Sequence, residues 1–86
     1  MEIRDYTLVC GGNACPEQYD VFKNTVLVGY LRLRHGHFTV EVPDVGGECI
    51  YDAFPTGDGS FYDDERMMYL EKAIEAIDNA RSRTIG

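Results

Sequence analysis

Eighty-six residues, 44% of them hydrophobic and 27% charged, have an ordinary globular composition, which argues against disorder and leaves room for one core. Fifteen acids against eight bases give a formal net charge of −7 and a pI near 4.6, so the summed field repels phosphate and argues against broad nucleic-acid or anionic-membrane binding. Three cysteines are an odd count and a poor match to a secreted disulfide framework.

"MEIRDYTLV" has no long apolar core and the longest apolar run is "VLVGYL". Neither a secretory leader nor a membrane span is expected, and a reduced, cytoplasmic protein is. Residues 3–10, "IRDYTLVC", form the first predicted strand, ended by the breaker cluster "GGNACPE". "YDVFK" and "VLVGYLRLR" follow as β-branched and aromatic runs, separated by Asn24-Thr25 as a two-residue hairpin turn. His35-Gly36 makes the next turn, then come "HFTVEV", the loop "PDVGG" and "ECIYDAF". The pattern is a β-meander.

The last third changes period. Met67, Leu70, Ile74 and Ile77 recur at helical spacing with Ala73 and Ala80 beside them, one apolar stripe of a helix over about 61–82. Ser60 followed by Asp63 suggests its cap, Asp63, Asp64 and Glu65 suit its positive end, and Arg81 and Arg83 its negative end. The expected fold is α+β, a single domain over 1–86. An antiparallel meander of four to five strands within 3–54 carries the C-terminal helix on one face.

The turns sort the faces. Through His35-Gly36, Arg34 pairs with His37, Leu33 with Phe38, Arg32 with Thr39, Leu31 with Val40 and Tyr30 with Glu41. Cross-strand partners share a face, so Leu31, Leu33, Phe38, Val40 and Val42 point to the helix, and the arginines and His37 away from it. Through Asn24-Thr25, Lys23 pairs with Val26, Phe22 with Leu27, Val21 with Val28 and Tyr19 with Tyr30. That register sends Phe22 and Leu27 to the core and leaves Tyr19, Val21, Val26, Val28 and Tyr30 on the open face. A bulge at Gly29 reverses the assignment. The predicted core is Phe22, Leu27, Leu31, Leu33, Phe38, Val40, Ile50, Met67, Leu70, Ile74 and Ile77.

"CPEQYDVF", "VGYLRLRHGHFTV" and "GDGSFYDDERMMYLEKAIEAI" resemble small uncharacterised proteins of phages and integrative elements of gut bacteria. The resemblance covers most of the chain. It implies a bacterial cytoplasm and a mobile-element setting, and it carries over no catalytic or binding residues.

Sequence motifs for chemistry are weak. Cys10, Cys15 and Cys49 with His35 or His37 offer zinc donors, but no second close ligand pair accompanies Cys10 and Cys15. Small thiols at strand ends explain them as well. Asp52, Asp58, Asp63, Asp64 and Glu65 lack the glycine and regular oxygen spacing of a calcium loop. "GGNA" and "GDGS" continue into neither phosphate-binding nor dinucleotide spacing, and no motif ties a thiol to a histidine base. No enzyme, metal or cofactor is expected.

Two surfaces remain. Tyr19, Val21, Val28, Tyr30, Arg32, Arg34 and His37 form an expected protein-binding face, because tyrosine and arginine are favoured interface anchors. The partner is another protein or a second copy. Asp64, Glu71, Glu75 and Asp78 form an acidic stripe on the helix. It is either a solvated face or a phosphate mimic that inhibits a host nucleic-acid enzyme. A third alternative uses Tyr19, Tyr30 and Tyr51 beside the arginines to stack single-stranded nucleic acid.

Overall fold

The computed structural model describes residues 1–10, 17–44 and 46–83. The breaker cluster expected before the second strand, with Cys15, lies outside the described residues. Strands β1 (Glu2–Ile3), β2 (Tyr6–Cys10), β3 (Glu17–Lys23), β4 (Val26–Arg34), β5 (His37–Val42) and β6 (Glu48–Ala53) precede helix α1 (Asp63–Arg83). The strands form one antiparallel sheet in sequential order, with α1 packed across one face. The sheet thus has six strands, not four or five. Arg4 enters the left-handed region at φ 54° and Ile3 pairs with Tyr6, so the expected first strand is itself a small hairpin.

Both expected hairpin turns form. Asn24 and Thr25 have φ of 52° and 67°, and His35 and Gly36 have φ of 54° and 73°. Two consecutive left-handed residues match the right-handed twist of the flanking strands. Between β4 and β5 all five expected pairs are present, from Arg34 with His37 to Tyr30 with Glu41.

The β3–β4 ladder begins as expected, Lys23 opposite Val26 and Phe22 opposite Leu27, and then shifts: Val21 faces Gly29 and Tyr19 faces Leu31. Val28 is the extra residue of a bulge. The expectation for Tyr19, Val21 and Val28 is therefore corrected. They are 7%, 0% and 5% exposed and belong to the core. The bulge sits beside Gly29, where α1 comes close: a Cβ there would lie 2.7 Å from Ile77 Cδ1, so a larger residue would have to push that methyl aside. Phe22 and Leu27 are displaced the other way, half-buried on the open face, while Val26, also expected on that face, turns to the helix side with Lys23 opposite it.

Leu31, Leu33, Phe38, Val40, Leu70, Ala73, Ile74 and Ile77 have no exposed surface, and Ile50 packs at their margin. Met67, expected in the stripe, is 46% exposed. It sits roughly 60° around the helix from Leu70, and the space under the first turn is taken by Phe61. The Phe61 ring stacks on Tyr69 and meets Phe38 edge-on. Truncating Ile74 to alanine removes contacts on every side and should cost about 2–5 kcal/mol. Urea denaturation measures it, and a loss of only a few tenths would contradict this packing.

Candidate functional site

Glu17 opens β3 on the core side, in step with Tyr19 and Val21, and is 8% exposed. A carboxylate there requires partners. It accepts hydrogen bonds from Arg66 Nε at 2.8 Å, from the Phe61 N–H at 2.9 Å and from the Tyr19 hydroxyl. Burial alone would raise the Glu17 carboxyl, but these donors hold it below its ordinary value. Tyr19 is pushed up, by burial first and then by the neighbouring carboxylate. Arg66 also bonds Asp63 Oδ1 at 2.8 Å and the Phe61 carbonyl at 3.1 Å. These bonds join β3 to the start of α1, so the cluster is a latch between them.

The helix start has a second anchor. Glu65, to which the sequence assigns only a charge role, supplies a cap: its carboxylate accepts from the N–H groups of Tyr62, Thr56 and Gly57 at 2.8–2.9 Å. This is the glutamate half of a capping box. Desolvation opposes ionisation, but the backbone donors outweigh it and Glu65 is held low. Near the other end, the Tyr6 hydroxyl donates to Asp78 Oδ1 at 2.8 Å. Of the expected acidic stripe, Asp78 is thus engaged with β2, and Asp64, Glu71 and Glu75 remain exposed on one flank.

The open face is built in rows across the strands. Thr7, Phe22 and Leu27 make one row, and Val9, Asp20, Tyr30 and Glu41 the next. Gln18, Arg32, Thr39 and Asp52 follow, then Arg34 and His37. The Tyr30 hydroxyl donates to Gln18 Oε1 at 2.7 Å. His37 Nε2 lies 2.9 Å from Asp52 Oδ2, and its ring stacks on Phe54 with centroids 4.7 Å apart and an interplanar angle of 8°. Phe54 itself is 75% exposed. Among the described residues, neither Arg32 nor Arg34 lies within ion-pair distance of a carboxylate.

Of the seven residues expected at an interface, Tyr30, Arg32, Arg34 and His37 share the open face and Tyr19, Val21 and Val28 do not. Phe22, Leu27 and Phe54 take their place. Phe54 carried one signal, its position at the end of the predicted strand "ECIYDAF", while Phe22 and Leu27 were hidden by the bulge. Tyr51 lies on the helix side, where it meets Phe38 edge-on, so it cannot stack a base beside Arg32.

A groove of about 500 Å³ opens between the C-terminal half of α1 and the sheet, lined by Val28, Val42, Ile50 and Ile77 with Glu48 and Arg81. Among the described residues no three histidine, cysteine or acidic side chains are grouped to hold a metal, and Cys10 and Cys49 are exposed. No helix among them is long and apolar enough to cross a membrane. Comparison of the chain with protein-family models, with curated proteins and with solved structures finds no match.

Proposed function

We propose that this chain is a non-enzymatic interaction module that binds a protein partner through the open face of its sheet. The observation that carries the reading is the mixed surface around Tyr30. Phe22 and Leu27 are half-buried with no helix above them, Phe54 is three-quarters exposed, and Arg32 and Arg34 stand between. Exposed aromatic and arginine side chains are what an interface uses as anchors. The same reading places the chain in a bacterial cytoplasm and a mobile-element setting, and the exposed thiol of Cys49 suits a reducing compartment.

Inhibition of a nucleic-acid enzyme through the helix is the second reading. It is favoured by Asp64, Glu71 and Glu75, exposed on a flank that also presents Met67 and Met68, 46% and 48% exposed. One experiment separates the two. Ligands selected from a displayed peptide library should perturb backbone amide resonances of residues 18–22, 27–34 and 37–41. Perturbation confined to α1 would favour the helix reading, and failure to select any ligand would count against an interaction module. Light scattering on the free protein tests whether a second copy is the partner.

A further inference from the structure

We infer that the partner presents an extended acidic segment, with carboxylates on alternate residues, that runs along β4 and is held by Arg32 and Arg34; the inference rests on the open-face reading above. The two arginines occupy alternate positions of one strand and point from the same face. Their attachment points are therefore roughly 6–7 Å apart. Carboxylates two residues apart on an extended chain repeat at the same distance, so a segment aligned with β4 offers one to each guanidinium. Each pairing can be bidentate, which is where arginine gains over lysine.

Three features of the face support this occupant over others. In a chain with fifteen acids and eight bases, these two cations sit side by side with no carboxylate of the described residues within ion-pair distance. Next to Arg34, the His37 ring is fixed from two sides, by Asp52 and by the stacked Phe54 ring. That ledge is preorganised for an apolar or aromatic side chain following the acids, and its ordering cost is already met. Finally, Asp20 and Glu41 flank Tyr30 one row away from Arg32. They repel any further negative charge along the strand and so limit the segment to the Arg32–Arg34 end. A nucleic-acid strand, with a charge on every nucleotide, would run its phosphates over these acids against a net charge of −7.

The test uses labelled peptides and fluorescence anisotropy at low salt. The probe has two glutamates separated by one valine, followed by a phenylalanine two positions on. Its controls place the glutamates adjacent, or replace both by lysine, and a labelled oligothymidylate strand stands for nucleic acid. The alternating peptide should bind and weaken with added salt. Reversing both arginines, R32E with R34E, should reduce its affinity at least tenfold and should let the lysine peptide bind instead. The neutral pair R32Q with R34Q serves if the reversed variant is poorly folded by circular dichroism, and should fall between the two. F54A should weaken the probe severalfold with both arginines in place. Equal binding of the adjacent-glutamate control, or tighter binding of oligothymidylate, would overturn the inference. If no acidic peptide binds while selected ligands still map to residues 18–41, the acidic segment is wrong and the interface reading stands. Mapping to α1 removes both.

Discussion

Val28→Asp should unfold the protein, while Val26→Asp, two residues earlier on the same strand, should leave it folded. In a regular strand the two positions share a face, and both substitutions would be tolerated on an open surface. The bulge, which follows Val28, turns both to the helix side, and there they differ in cover. Val28 is 5% exposed beneath the helix and Val26 is 60% exposed. An aspartate at position 28 loses its water beneath the helix, a cost of about 4 kcal/mol or more against a typical total of about 5–15 for a domain. At position 26 the carboxylate stays hydrated and the change should remain within about 1 kcal/mol. Thermal melts of the two variants decide the matter. Equal stability would mean that Val21 faces Val28 after all and that the helix covers the other side of β3.

The latch between Glu17 and Arg66 should show the next largest effect, and it should depend on pH. Removing either partner leaves the other buried or half-buried without its counter-charge. Because Arg66 keeps 27% of its side chain exposed, Glu17→Ala or Arg66→Ala should cost about 2–4 kcal/mol, at the lower side of broken buried pairs. The Glu17 carboxyl is held below its ordinary value of 4.5 in the folded protein. The stability this confers is complete above that value and is lost as the pH falls through the lower, folded one. Denaturation midpoints of the wild type should therefore drop steeply below about pH 4.5, and Glu17→Gln should flatten that descent. Glu65, also held low by backbone donors, leaves a residual slope in the variant. An unchanged acid slope in Glu17→Gln would mean that the carboxylate contributes nothing through its charge.

Much of the architecture was legible because it rests on local signals. Turn residues at 24–25 and 35–36 set two hairpins, and alternation set the register of β4 on β5 residue by residue. The stripe from Leu70 to Ile77 set the helix. What failed was any inference that had to pass through Gly29. Period-2 reasoning propagates along a strand without loss, so a single extra residue inverts everything before it. Phe22 and Leu27 exchanged faces with Val21 and Val28 for that reason alone. The local signal was Gly29 itself, since glycine within a strand often marks a bulge, but alternation alone does not say whether one forms. Glu17 was missed differently. It shares the inward phase of Tyr19 and Val21, and Arg66 shares the inner face of Leu70 at helical spacing. A buried carboxylate facing a half-buried guanidinium could have been found by asking which charged residues fall in phase with the core. Half of the open-face site followed from β4 and β5, whose register was right, and the other half did not.

Each strand pairs only with its neighbours in sequence, and this has a kinetic consequence. The hairpins β3–β4 and β4–β5 close loops of two residues, so their contacts come at little chain-entropy cost and suit an early nucleus. The Glu17–Arg66 bonds join positions 49 residues apart and can form only after the helix docks. The latch therefore belongs to the last stage of folding and acts on the rate at which the native state is left, not on the rate at which it is reached. An open meander face is displayed by the hairpins alone, and the latch sets how long it stays displayed.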